Sequence, residues 1–399
     1  MVSAEARAPP FRRRCQGWRA AGSYPDPVTL LARDVTVRAQ AAESRRLGFL
    51  DALRGVAVGL VLVEHVGELL VPGMRTLATS GVQLGQMGVM VFFLCSGFIV
   101  PASLERGGGS PLARARRFWR GRFFRLYPMY WLSLVVALLL AALGRYPLPG
   151  GVGVRAGVVN AAMVQGLVGL PNVIGVYWSL AFELLFYLAV SALCLAGLHR
   201  RSVALSLTAS GLCLALAVAA RPVLDRHVPL GVFCLVTMFA GTVVHRWHSG
   251  VVRLRTALLC AAAALGSGTA LLAAVLLGHE DPAALGTRSF GPMLAAWIGA
   301  YAVVGIGLAL RHRRPPGWLV RLGVLSYAVY LLHPLVLAAT PRVGGVVGTA
   351  VLWLGLTVLL SEVCHRLVER PAIRLGRSVR GRPAEVPLPE PVPAGAAPS

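Results

Sequence analysis

The 399-residue chain is 56% hydrophobic, only 14% of its residues are charged, and its mean hydropathy is +0.68. This apolar composition excludes an ordinary soluble domain. In a soluble protein the net charge of +23 would suggest a nucleic-acid partner, but here the charge lies between long apolar runs. The composition therefore indicates a membrane protein with basic loops and no nucleic-acid partner.

The apolar runs predict the membrane-spanning helices, each of which needs roughly 20 mainly apolar residues. Suitable runs begin near Leu50, Met87, Tyr127, Val176, Ser202, Val228, Thr256, Phe290, Leu319 and Gly345. The sequence thus predicts an all-α, polytopic transmembrane helical bundle of about ten spans. The apolar segment 152–170 is shorter and broken by glycine. It is predicted to be re-entrant or to lie at the surface, with an additional span as the alternative.

The flanks of the predicted membrane domain, residues 47–376, differ from it in composition. Residues 1–46 are rich in Arg and lack the apolar stretch of a signal peptide, so they are predicted to form a disordered N-terminus. Residues 377–399 are rich in Pro and Ala and are also predicted to be disordered. The seven cysteines include no CxxC pair, and no metal site or permanently bound cofactor is predicted.

The distribution of arginine predicts the orientation. All 39 basic residues are Arg, and with ten spans most of them fall on the side that holds both termini. The opposite loops contain only Arg75, Arg145, Arg155, Arg221, Arg226, Arg288 and Arg342. The positive-inside rule therefore predicts a multi-pass protein of the cell membrane with both termini in the cytoplasm.

Two ionisable residues of the first span, Arg54 and His65, are candidate functional groups. Eleven steps of about 100° place both side chains on one helix face, about 16 Å apart along the axis. Arg54 suits the phosphates of a donor at the cytoplasmic entrance, and His65 suits a general base deeper in the membrane. Alternatively, Arg54 extends to lipid phosphates and His65 is a neutral, hydrogen-bonded residue of the interior.

The segment RARRFWRGRFFRLYP, from Arg114 to Pro128, forms a basic patch at the cytoplasmic start of the third span. Arg122 and Arg125 share a helix face there and are positioned to bind the phosphates of a nucleotide. The alternative is an anchor to anionic lipids, which suits the outer arginines of the patch.

Other spans contain further polar residues. Ser96 and Gly97 interrupt the second span, where small residues usually allow close helix packing. Glu183 enters the fourth span as a lone carboxylate that needs a partner, and a histidine of the site is a plausible one. Tyr330 and His333 are three residues apart in the ninth span, although His before Pro could equally mark a structural kink.

Together these segments resemble the acyltransferase-3 family of membrane acyltransferases, from about Phe49 to Ile373. The matching segments are FLDALRGVAVGLVLVEHV, GVMVFFLCSGFIV, FWRGRFFRLYPMYW, VYWSLAFELLFYL, LGVLSYAVYLLHP and VERP. The resemblance implies roles for Arg54, His65 as the catalytic base, Arg122, Arg125, Ser96, Gly97, Trp178, Ser179 and Glu183. Phe182 stands where many members have a second acidic residue, which leaves Glu183 as the single carboxylate there.

The resemblance implies transfer of an acyl group, acetyl in the expected case, from acyl-CoA to a hydroxyl of a glycan, glycolipid or small molecule. Arg122, Arg125 and Arg54 are expected to bind the donor's phosphates, and Glu183 to orient His65 or stabilise its imidazolium. Acceptor specificity is expected in segments 71–86 and 145–176. The competing hypothesis is a transporter or flippase of a lipid-linked or anionic substrate.

Overall fold

The computed structural model describes residues 27–106, 108–219, 231–277 and 289–378, with side chains from residue 48 onward. Residues 48–399 and residues 1–47 are separate compact units. The helices are α1 Pro27–Leu70, α2 Pro72–Thr76, α3 Leu84–Glu105, α4 Pro111–Ala142, α5 Val154–Ala161, α6 Tyr177–Leu195, α7 Ser202–Ala219, α8 Val232–His248, α9 Leu254–Leu276, α10 Phe290–Ala309, α11 Gly317–Ala339, α12 Gly345–Cys364 and α13 Arg370–Ser378. Short π-helical turns occur at Leu77–Gly81 and His365–Glu369.

The predicted all-α membrane class is confirmed, since the described ranges contain no strand and include eight helices long and apolar enough to cross a membrane. All ten predicted spans fall on helices, but α1 and α8 are not among those eight. The span of α1 carries Asp51, Arg54, Glu64 and Glu68, and α8 has only 17 described residues. The count of ten therefore stays a prediction.

The flanking segments lie partly outside the described residues. Residues 1–26 and 379–399 are outside them, and their predicted disorder stays a prediction. Helix α1 begins at Pro27, so residue 46 is not a helix boundary, although it lies next to the boundary between the two compact units.

The segment between α4 and α6 is not a spanning helix, as predicted. It contains only the eight-residue α5 and a 3₁₀ turn at Gln165–Leu167. The buried Asn160 holds it together, because its amide nitrogen donates to the carbonyls of Ala156 and Pro171, at 2.8 and 2.9 Å. Its amide oxygen accepts from the backbone N–H of Val173 at 3.0 Å. With its backbone partners supplied in this way, the segment reaches the start of α6 inside the protein.

Close contact between α1 and α11 positions the site described below. Gly55 lies against the backbone of Leu319, and Gly323 lies against the backbone of Asp51. A methyl group at either glycine would overlap these atoms, so only glycine permits the approach. As a result, the part of α1 around Gly55 packs directly against the buried helix α11.

A second close contact joins α3 to α8, where Gly97 meets Gly241 and the backbone of Met238. The packing role considered for the Ser-Gly segment therefore applies to Gly97. Ser96, one residue earlier, faces a different neighbour, as described below.

Candidate active site

A cavity of about 630 Å³ lies between α1, α3, α11 and the residues at the start of α6. It is lined by Val61, Glu64, His65, Glu68, Leu69, Ala78, Gln83, Gly85, Gln86, Val89, Tyr146, Gly175, Val176, Trp178, Tyr330, His333, Pro334, Leu337 and Ala338. These residues lie at the helix ends opposite the basic loops, and the volume suits a small-molecule ligand. We call this cavity the outer pocket, after the orientation predicted from the arginine distribution.

Helix α1 presents one continuous face to the outer pocket. Val61, Glu64, His65, Glu68 and Leu69 line it and recur at the spacing of a single helix face. The carboxylate of Glu64 lies beside the first residues of α3, with Oε1 next to Gly85, where it interacts favourably with the N-terminus of that helix. Glu68 lies one turn beyond His65 and acts on its imidazole electrostatically.

The two candidate histidines meet in this pocket. Nδ1 of His65 lies 3.2 Å from Nε2 of His333, and the ring centroids are 5.0 Å apart. His333 is only 1% exposed, and its Nδ1 lies 3.1 Å from the carbonyl oxygen of Val329. Residues from α1 and α11, 268 positions apart in the sequence, thus form one hydrogen-bonded pair.

The other candidates of α6 and α11 support the same pocket. Trp178 lines it, and the hydroxyl groups of Ser179 and Tyr330 are 2.8 Å apart. The Tyr330 hydroxyl also donates to the carbonyl of Val176 at 3.2 Å. These bonds fix the start of α6 against α11, beside the two histidines.

A second polar group, which we call the arginine cluster, consists of Asp51, Arg54, Arg122, Arg125 and Glu183. Arg54 lies 3.8 Å from Asp51, and Arg125 acts electrostatically on both of these residues. Arg54 also interacts electrostatically with Glu183. Because three guanidinium groups face two carboxylates, the cluster has an excess of positive charge and can bind an anion.

Aromatic rings and hydroxyl groups hold the arginine cluster in place. The guanidinium of Arg122 lies 5.2 Å from the ring centre of Phe118 and 4.9 Å from that of Tyr187. Tyr187 donates its hydroxyl hydrogen to Glu183, which also accepts from Ser96 at 3.0 Å. Ser96 therefore positions Glu183 within the cluster.

The structure does not place Glu183 beside His65, which corrects the expectation that it orients that histidine. Glu183 bonds to Ser96 and Tyr187, whereas the ring of His65 meets His333. The physical reason is the position of Glu183 along α6. It lies about 7.5 Å beyond Trp178, which lines the outer pocket. The carboxylate that acts on the His65 ring is Glu68 of the same helix.

The arginine cluster and the outer pocket are separate. Arg54 and His65 share a face of α1 as predicted, but Val58 and Val61 between them are 0% and 1% exposed. None of the arginines of the cluster lines the outer pocket. A substrate that bridges the two sites must pass between packed helices.

The acyltransferase-3 model, described as an acyltransferase domain, matches residues 47–361. The chain belongs to this family. It is therefore a membrane acyltransferase, and both polar sites lie within the matched domain.

Three relatives match most of the chain, and the printed name of one is an acyltransferase. The chain is 26% identical to "Acyltransferase MdmB" of Streptomyces mycarofaciens, over 83% of this chain and 92% of the relative. It is 26% identical to "Exopolysaccharide production protein ExoZ" of Rhizobium meliloti (strain 1021), over 76% and 96%. It is 28% identical to "Nodulation protein 10" of Rhizobium leguminosarum bv. viciae, over 74% and 84%. No solved structure matches the chain.

Several residues of this acyltransferase were not among the candidates predicted from the sequence. Glu64 and Glu68 line the outer pocket, and Asp51 and Tyr187 belong to or contact the arginine cluster. The sequence contains enough information to identify Glu68, because this residue lies three positions after His65 and shares its helix face. Segments 71–86 and 145–176 supply Ala78, Gln83, Gly85, Gln86, Tyr146, Gly175 and Val176 to the pocket.

Proposed function

We propose that this membrane acyltransferase transfers an acyl group, acetyl in the simplest case, from cytoplasmic acyl-CoA to a hydroxyl group of a glycan, glycolipid or small metabolite. The observation that carries the proposal is the His65–His333 pair, which borders a cavity large enough for an acceptor. No permanently bound cofactor is required. The printed name of one relative refers to exopolysaccharide production, which supports a glycan among the candidate acceptors.

The arginine cluster is the proposed site for the donor's phosphates. Arg122 and Arg125 lie three residues apart on α4, and Arg54 adds a third guanidinium. Charge-assisted hydrogen bonds to phosphate are stronger than neutral ones. The axial distance of about 16 Å from Arg54 to His65 is one that a long, thin acyl-CoA arm can span.

The outer pocket is the proposed site for the acceptor. Trp178, Tyr146 and Tyr330 offer aromatic surface, and Gln83 and Gln86 offer amide groups, a combination that suits a hydroxyl-bearing ring. The proposed orientation has both termini in the cytoplasm, which would let the acceptor enter from the outer face.

In the proposed reaction a ring nitrogen of His65 takes the proton of the acceptor hydroxyl as its oxygen attacks the thioester carbonyl. The carbon–sulfur bond then breaks, and the CoA thiolate receives the proton from the imidazolium. The products are the acyl ester and free CoA. Glu68, which lines the same pocket, would stabilise the imidazolium while it exists.

The substitution His65→Gln tests the proposal, because glutamine keeps a hydrogen bond but takes no proton at neutral pH. We expect acyl transfer to fall by roughly 10²–10⁴-fold, while acyl-CoA binding is retained. The measurement is release of CoA thiol from acetyl-CoA by the purified protein in nanodiscs, with a panel of methyl glycosides supplied as acceptors and binding measured by calorimetry. The control is His365→Gln, which removes another buried histidine, one bonded to Glu369 at 2.8 Å. Near-normal transfer by well-folded His65→Gln would refute the role of His65.

A further inference from the structure

The hydrogen-bond partners of His333 define its protonation. Its Nδ1 lies 3.1 Å from the carbonyl oxygen of Val329, and a carbonyl oxygen only accepts hydrogen bonds. Nδ1 therefore carries the hydrogen. His333 is 1% exposed, and a charged ring there would need a counter-ion, so the ring is neutral. Its Nε2 then has a lone pair and acts as an acceptor.

The residue after His333 is Pro334, which changes the backbone beside the ring. Proline has no backbone N–H, so the carbonyl of Tyr330, four residues earlier, lacks its usual partner in α11. The His333 ring lies beside this carbonyl, and its Nδ1 meets the neighbouring carbonyl of Val329 at 3.1 Å. The contact with Val329 holds the ring through its own helix.

The tautomer of His65 follows from that of His333. The two rings meet at 3.2 Å through Nδ1 of His65 and Nε2 of His333, and Nε2 of His333 is an acceptor. Nδ1 of His65 must then donate, which leaves Nε2 of His65 with the lone pair. His65 borders the outer pocket, where this lone pair can meet a hydroxyl group.

We propose that His333 is a positioning residue that fixes His65 as the Nδ1–H tautomer, so that Nε2 of His65 is the nitrogen that takes the proton of the acceptor. The inference rests on the proposed function, in which His65 is the base. When Nε2 of His65 takes the proton, its Nδ1–H continues to donate to His333. The hydrogen bond therefore persists through the reaction and stabilises the imidazolium. Here a second histidine orients the base His65, a role that a carboxylate has in many hydrolytic sites.

The first test measures the tautomers directly and requires no activity. The full-length protein, labelled with ¹⁵N-histidine, is reconstituted in lipid vesicles and studied by solid-state NMR, with His65→Gln and His333→Gln used to assign signals. We expect both rings to carry hydrogen on Nδ1 and to show scalar coupling between Nδ1 of His65 and Nε2 of His333. A hydrogen on Nε2 of His65 in the wild-type protein would overturn the inference, whatever reaction the protein catalyses.

The second test separates positioning from packing. His333→Gln offers a carbonyl oxygen near the former Nε2, whereas His333→Phe keeps the ring volume but provides no acceptor. With acetyl-CoA as donor, the same methyl glycosides as acceptors and thiol release as the readout, we expect kcat to fall by about 10²–10⁴-fold in His333→Phe. We expect a loss of at most about tenfold in His333→Gln, and an unchanged KM for acetyl-CoA in both.

His365→Gln is again the control for loss of a buried histidine, and a thermal-unfolding curve reports folding for every variant. If His333→Phe does not fold, His333→Gln and the NMR result still decide the question. Equal kcat values for folded His333→Phe and the wild type would overturn the inference. If the wild type releases no thiol from acetyl-CoA with any of these acceptors, the proposed function fails, while the tautomer measurement still tests the geometry.

Discussion

Arg122 of the basic patch is held by aromatic rings. Its guanidinium lies against the rings of Phe118 and Tyr187, and the Tyr187 hydroxyl is in turn bonded to Glu183. Arg116, on the same helix, is exposed. A lipid anchor requires only positive charge near the membrane surface. A phosphate-binding site requires a guanidinium group whose N–H donors are held in one orientation. The surroundings of Arg122 favour a binding site.

The variant Arg122→Ala tests this assignment. We expect acyl-CoA to bind about 10–100-fold more weakly, since a charge-assisted hydrogen bond contributes about 1.5–3 kcal/mol. Arg122→Lys should recover only part of the loss, because the ammonium group has neither the planar fork nor the same stacking on the rings. Calorimetry in nanodiscs measures the affinity, and Arg116→Ala is the matched control. Equal weakening by both alanine variants would return the whole patch to the lipid-anchor interpretation.

At the scale of elements, the contact between α1 and α11 determines the site. It depends on glycine, since Gly55 touches the backbone of Leu319 and Gly323 touches that of Asp51. His65 lies ten residues after Gly55 and His333 ten residues after Gly323. The contact at these two glycines therefore places the two histidines at the same height along the paired helices.

Gly55→Ala and Gly59→Ala form a matched pair on α1 that tests this dependence. A methyl group at Gly55 would meet Leu319, whereas at Gly59 it would meet nothing within 4 Å. We expect Gly55→Ala to destabilise the protein by about 1–3 kcal/mol through overpacking and to lower kcat by separating the histidines. Gly59→Ala should be neutral or raise stability by up to about 1 kcal/mol. Thermal unfolding and thiol release measure the two effects, and equal behaviour of the two variants would contradict the role of Gly55.

At the scale of the whole molecule, the two polar sites lie at different depths in the bundle. The arginine cluster lies toward the loops rich in arginine, and the outer pocket lies toward the loops with few. A donor from one compartment and an acceptor from the other would then meet at the histidine pair. This arrangement makes the orientation of the chain central to the proposed mechanism.

Reporter insertions test that orientation. The loop after α4 contains Gly150, and the loop after α8 contains Gly250. Because arginine is concentrated on the side of the termini, we expect a reporter at Gly150 to lie outside the cytoplasm and one at Gly250 to lie inside. Fusions to alkaline phosphatase and to a fluorescent protein give opposite readouts at each position. Activity of alkaline phosphatase at Gly250 would show that the chain has the opposite orientation. The arginine cluster would then lie toward the outer face, away from cytoplasmic acyl-CoA.

The sequence by itself determined where the long apolar helices lie and which face Arg54 and His65 share, because helix length and helix periodicity are local properties. It also identified the short segment between α4 and α6, since glycine interrupts that apolar run. It did not determine the partners of those residues. Glu183 was expected beside His65, and the structure places it with Ser96 and Tyr187.

Only the tertiary structure decided that His333 meets His65, because their contact depends on the depth at which α11 lies against α1. That depth is set by packing between residues far apart in the chain, at Gly55 and Gly323, and not by the spacing of the histidines themselves. The same holds for the outer pocket, whose lining comes from α1, α3, α6, α11 and their connecting segments. Local sequence determines which side chains share a helix face, whereas close packing of the helices determines what each face meets.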